Sequence, residues 1–207
     1  MLDLVVLAKA FVVGLSVAAP VGPIALLTIQ RAIQRGFRMG LATGLGAAVA
    51  DALYGTVGAV GVTWLVSALT SARVPLAVAG AAVLLVLAWR TWRAPLAGPS
   101  AQVGARGLVG AFGGTVLLTL ANPATILSFI AVFGVLAASG TGPVSPLTMV
   151  VGVFLGSATW WLFLAGVVSA TRSRFDDAWR RRVNAGSALV LALFAVSQVA
   201  LAVRSVL

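Results

Sequence analysis

The chain has 207 residues, 61% of them hydrophobic and 9% charged, with 14 Lys and Arg against 4 Asp and Glu, and its mean hydropathy is +1.11. Such a composition excludes a water-soluble domain and makes the chain a membrane protein. It contains no Cys, His or Glu, which excludes a disulfide framework and thiolate chemistry and removes the common general bases and metal ligands of a membrane-embedded enzyme.

Six apolar stretches are long enough to cross about 30 Å of hydrocarbon as helices. They lie near residues 5–30, 39–63, 74–92, 108–135, 146–170 and 185–204. All are continuously apolar and lack the alternation of a strand barrel, so the expected fold is all-α. Val17-Ala18-Ala19 resembles a signal-peptide cleavage site. However, Pro20 would follow the cut, Lys9 interrupts the apolar region and the run continues to Gln30, so this segment is expected to remain a span.

Within that first span, LSVAAPVGPIALLTIQ places Pro20 and Pro23 in the middle of an apolar helix. Proline gives no N–H and clashes with the carbonyl four residues earlier. The carbonyls of Ser16 and Ala19 are therefore released, and Gly22 lets the chain bend between the prolines. In lipid, freed backbone groups must be buried in protein or line a wet cavity. A plain proline kink is the alternative.

The second span carries Asp51, the only acid well inside a membrane segment. An Asp near a helix centre costs about 2.5 to 3.5 kcal/mol on the insertion scale, and an intramembrane acid is a functional candidate by default. Gly40, Gly44, Ala48, Asp51, Gly55 and Gly58 recur at steps of three and four, a small-residue stripe that directs Asp51 into the bundle. Its partner would be a substrate ammonium, a coupling proton, a neighbouring hydroxyl or backbone group, or Lys9, which lies near a span end and can also snorkel.

After the third span, the Gly- and Pro-rich segment 94–107 reads as a linker between two halves of three spans, 1–93 and 108–207. The halves resemble copies. A shift of 100 residues aligns Gly14 with Gly114, Pro23 with Pro123, Leu27 with Leu127 and Thr28 with Ser128. A shift of 108 aligns Gly44 with Gly152, Ala48 with Gly156, Asp51 with Thr159 and Gly58 with Gly166. Three spans per copy require the second to cross the membrane in the opposite sense. Inverted repeats of this kind place a substrate site between them near the midplane.

The fourth span repeats the proline break at Asn122-Pro123, releasing Thr119. The fifth carries Thr159, a hydrogen-bonding candidate, and its neighbours Trp160 and Trp161 offer ring faces to a cation; the leading reading is the plainer one, in which Thr159 bonds its own helix and the tryptophans pack or form an interfacial belt. TRSRFDDAWRRRVN, residues 171–184, reads as a short surface helix with Phe175, Trp179 and Val183 on one face and Asp176/Arg180 and Asp177/Arg181 spaced as ion pairs.

The net charge of +10 collects in alternate connections. Arg31, Arg35 and Arg38 fall in the first, Arg90, Arg93 and Arg106 in the third, and Arg172, Arg174, Arg180, Arg181 and Arg182 in the fifth. The positive-inside rule puts these in the cytoplasm and both termini outside, facing lipid headgroups rather than nucleic acid, for which no binding surface accompanies the charge.

Ala19-Pro20-Val21-Gly22-Pro23-Ile24, followed by Gln30-Arg31-Ala32, Arg35-Gly36, Gly40, Gly44 and Asp51-Ala52-Leu53-Tyr54-Gly55, resembles the signature of the LysE/RhtB family of amino-acid exporters. Leu120 to Phe129 is similar to its second signature, and Gly152 to Trp161 to its fifth-span pattern. The resemblance implies export of amino acids or related small amines across the cytoplasmic (inner) membrane, driven by an ion gradient, without a cofactor or ATP-binding part. The family's common Pro-Gly-Pro is here PVGP, which leaves the substrate open. Carried over, the site comprises Pro20, Gly22, Pro23, Asp51, Asn122 and Pro123, to which the 108-residue shift adds Thr159. The competing readings are a passive channel, a non-transporting scaffold or a small-cation exporter. The last is disfavoured because Asp51 is the sole candidate ligand in the spans. The Gly stripes serve packing within one chain or between two, so a homodimer stays open.

Overall fold

A computed structural model describes residues 4–20, 22–60, 71–93, 104–122, 125–126, 128–129, 146–172 and 176–204. The described residues form seven helices: α1 (Leu4–Ala18), α2 (Pro23–Arg35), α3 (Phe37–Val60), α4 (Arg73–Arg93), α5 (Ala105–Leu120), α6 (Pro146–Thr171) and α7 (Asp177–Arg204). By length and composition, Val74–Arg93, Pro146–Thr171 and Asp177–Ala200 can each cross a membrane. The pair α1 and α2 meets the same test as one broken span, bent by 78°. α3 has the length, at 24 residues, but Asp51 and its glycines lower its apolarity. α5 is a shorter apolar helix of 16 residues.

Large apolar side chains cover the outside of the bundle, and polar ones are buried among its apolar core. Leu4, Val12, Trp92, Leu117, Phe163 and Val196 point outward, whereas Gln30, Thr43, Asp51, Thr91, Ser157, Asn184 and Gln198 are buried. This distribution suits a chain whose surroundings are hydrocarbon and whose polar side chains must find partners inside.

Close helix crossings come from small residues. α1 and α3 both pack on α6, α4 on α7, and α5 on α3. Gly152 and Gly156 of α6 lie directly against the α1 backbone at Leu7 and Phe11, and Gly14 of α1 lies against Val153. On α3, Gly44 faces the Trp161 side chain and Gly55 faces Val153. The stripe read from Gly40 to Gly55 therefore does turn inward. On α6 the positions aligned with that stripe divide: Gly152 and Gly156 pack, Gly166 meets open space, and Thr159 is exposed.

The first span breaks at its prolines as expected, but its second part, α2, is bent by 78° from α1 and runs past the expected end at Gln30 to Arg35. α2 is a separate helix that touches α3, α6 and α7 and buries Ile24, Leu27, Thr28, Gln30 and Ile33. Arg31 is consequently no loop residue. Its guanidinium donates to the hydroxyls of Thr43 at 3.0 Å and Thr115 at 3.4 Å. The turn into α3 is made by Gly36 alone, at φ 85°, a conformation that disfavours side chains with a Cβ.

The expected surface helix at 171–184 is also corrected over its described part. Asp176 is the N-cap of α7, its carboxylate accepting the Trp179 N–H at 2.7 Å, and the helix continues unbroken into the last span. Phe175 lies outside the described residues. Nothing stops the helix at Asn184, because Asn184 and Ser187 are buried against neighbours.

The basic segments converge on one end of the bundle. Gln30 and Gln34 of α2 reach Asn184 of α7. Thr91, between Arg90 and Arg93, donates to Gln30 at 3.3 Å, and Arg172 lies against Gly36.

Candidate functional site

α1 stops where the prolines require. The Ala19 N–H is the last to reach back, to Leu15 at 3.0 Å, and Pro20 has no N–H for Ser16. Gly22 is extended, at φ −123° and ψ −170°, and Pro23 opens α2, where its fixed φ and missing N–H cost nothing. The carbonyl of Gly22 accepts from the Leu26 N–H at 3.1 Å. The N–H groups of Ile24 and Ala25 begin the helix without an intrahelical acceptor, and Gly22 brings no side-chain cap. This end carries the positive pole of α2.

The second break repeats the arrangement. α5 ends at Leu120, and the carbonyl of Asn122 accepts from the Ile126 N–H at 3.2 Å. That is the Gly22–Leu26 bond displaced by 100 residues. Pro123 lies outside the described residues. Two side chains hold this break in place. Tyr54 of α3 donates to the Leu120 carbonyl at 2.7 Å and stacks on Phe129 with centroids 5.5 Å apart. Gln198 of α7 donates to the Asn122 side chain at 3.3 Å.

Both breaks line one cavity of about 250 Å³. Pro20, Gly22, Pro23, Ile24 and Ala25 come from the first break, and Thr119, Asn122, Thr125 and Ser128 from the second. Asp51 lines it from α3, Trp161 from α6 and Phe194 from α7. The volume is below the roughly 300–1,000 Å³ of pockets for drug-sized molecules, so the ligand that fits is small.

Asp51 is 3% exposed. Ser157 donates to its Oδ2 at 2.6 Å, and the Trp161 indole N–H donates to the Ser157 hydroxyl at 3.1 Å. An indole N–H can only donate. Ser157 must therefore accept from Trp161 and spend its own hydrogen on Asp51, which fixes one carboxylate oxygen as an acceptor.

Of the residues expected from the sequence, Pro20, Gly22, Pro23, Asp51 and Asn122 are brought together. Thr159 is not. It is exposed, and its hydroxyl bonds its own helix at Leu155, 2.7 Å away. The partner of Asp51 on α6 is Ser157, on the face shared by Gly156 and Trp161. Lys9 is exposed on α1, apart from this network. Missed from sequence are Ser157, Phe194 and the side chain of Thr119; the Thr119 carbonyl, expected to be released, accepts from the Asn122 N–H at 3.1 Å. Ser157 and Trp161, four apart and in line with Val153, carried the available signal. Among the described residues, no group of three His, Cys, Asp or Glu could hold a metal ion.

Residues 15–201 match the family described as LysE type translocator. The chain is similar to the uncharacterized membrane protein YahN of Escherichia coli (strain K12), 29% identical over 82% of this chain and 77% of that protein. It is similar to the chemotactic transduction protein ChpE of Pseudomonas aeruginosa, 29% identical over 79% of this chain and 82% of that protein. No solved structure matches the chain.

Proposed function

Because the chain belongs to the LysE type translocator family, we propose that it is a secondary active exporter of amino acids or related small amines, driven by an ion gradient and working by alternating access. The observation that carries this reading is the buried carboxylate of Asp51 at a cavity lined by both helix breaks. The free N-terminus of α2 attracts a carboxylate, while Asp51 attracts an ammonium or a coupling proton. A small zwitterion satisfies both.

In this reading the chain crosses the cytoplasmic membrane six times as two inverted three-helix repeats, 1–93 and 108–207, joined by a cytoplasmic linker at 94–107. The recurrence of the Gly22–Leu26 bond at Asn122–Ile126 supports the repeat. The gathering of basic residues at one end supports placing that end in the cytoplasm and both termini outside. α2 then closes the cytoplasmic side. Gln30, Arg31 and Gln34 tie it to α3, α4, α5 and α7, and these bonds must loosen to admit substrate from that side. As the repeats rock around the site, Asp51 exchanges a proton or the ligand's amine between the two states.

Efflux from proteoliposomes loaded with a panel of amino acids, with and without a pH gradient, tests the proposal. Saturable efflux accelerated by substrate on the far side is expected. Linear efflux without that acceleration marks a channel, and none marks a scaffold.

A further inference from the structure

Resting on that transport reading, we infer that the ligand is a neutral α-amino acid, its carboxylate held by the α2 N-terminus and Thr119 and its side chain uncharged and laid against Trp161 and Phe194. Two independent features point to a carboxylate at one end of the cavity. The Ile24 and Ala25 N–H groups have no intrahelical acceptor. Thr119, 2% exposed, has a hydroxyl without a hydrogen-bond partner and lines the same cavity. A buried hydroxyl left unpaired is costly, and a ligand oxygen accepting from it removes that cost. Two backbone donors and one hydroxyl suit an anion with two oxygens.

The remaining walls set the side chain. Among the described residues lining the cavity, Asp51 is the one ionisable group, and the ligand's ammonium pairs with it. A second ammonium, as in a basic amino acid, would be buried without a counter-charge, and a second carboxylate would meet no cation. The Trp161 indole N–H is already committed to Ser157, so Trp161 offers only its ring. Together with Val17, Ile24 and Phe194 it forms an apolar wall, and the second break adds Asn122, Thr125 and Ser128, which are polar but uncharged. The substrate class is thus selected by what the cavity lacks as much as by what it holds.

Counterflow into proteoliposomes containing the full chain, using L-valine, L-lysine, L-glutamate and isobutylamine as probes, tests this. L-valine should exchange at least tenfold faster than L-lysine or L-glutamate, and isobutylamine, which lacks the carboxylate, should compete poorly. Thr119→Val should raise the KM for L-valine about tenfold with little change in the maximal rate, and Thr119→Ser should recover most of the affinity. If L-lysine or L-glutamate exchanges as fast as L-valine, or Thr119→Val leaves KM unchanged, this inference is overturned while the exporter reading stands. If no probe exchanges, both fall.

Discussion

The Ser157 hydroxyl and the Asp51 carboxylate, 106 residues apart in sequence, are joined by a hydrogen bond of 2.6 Å. This bond ties α3 to α6 at the wall of the cavity and holds a buried acid in one orientation. Removing the hydroxyl with Ser157→Ala leaves a buried acceptor unpaired, with an expected loss of roughly 1–3 kcal/mol. Thermal melting of the purified protein in detergent should show the loss, and transport should fall in parallel because the carboxylate is no longer aimed.

The crossing of α1 and α6 depends on Gly156. A Cβ there would overlap the Phe11 carbonyl oxygen, which is rigid backbone, whereas Gly166 on the same helix faces open space. Gly156→Ala should lower stability by roughly 1–3 kcal/mol, the usual cost of overpacking. Gly166→Ala should be neutral or slightly stabilising. A melting comparison of the two variants checks the crossing without any transport assay.

Tyr54 places the second break by donating to the Leu120 carbonyl. Tyr54→Phe keeps the ring on Phe129 but removes the side-chain donor to the Leu120 carbonyl at the end of α5. Stability should fall by roughly 1–3 kcal/mol. Efflux should fall more than the folded fraction does, since the end of α5 is part of the cavity wall. Equal losses in both would limit Tyr54 to a structural role.

The contact of Gln34 with Asn184 joins α2 to α7, and the chain has no native cysteine to interfere with cross-linking. A Gln34→Cys and Asn184→Cys double variant, linked by a short thiol cross-linker, should lose more than tenfold of its exchange rate and regain it on cleavage of a reducible linker. Undiminished exchange in the linked protein would mean that α2 and α7 do not separate during transport.

The sequence contained the breaks and the acid but not their neighbours. Prolines announce themselves because their chemistry is local: each removes a donor wherever it stands, and both α1 and α5 end just before one. Asp51 was placed inward by the small residues sharing its face, which the packing of Gly44 and Gly55 bears out. Thr159 illustrates the limit. Pairing it with Asp51 by internal symmetry equates sequence positions, but contact depends on which face of α6 meets α3. That face carries Ser157 and Trp161, with Thr159 turned outward. The burial of Gln30 and Arg31 on α2 was equally hidden. The apolar residues of α2 continue those of α1, and only the 78° bend brings Gln30 and Arg31 inside, where polar partners on other helices, remote in sequence, make their burial tolerable.

The most direct test of the central claim, that Asp51 at the meeting point of the two breaks couples transport, is counterflow in proteoliposomes with wild-type protein and the Asp51→Asn variant side by side. The account predicts substrate-accelerated exchange for the wild type. For Asp51→Asn it predicts a loss of at least a hundredfold with membrane insertion and the melting profile retained. An Asn variant that exchanges at the wild-type rate contradicts it.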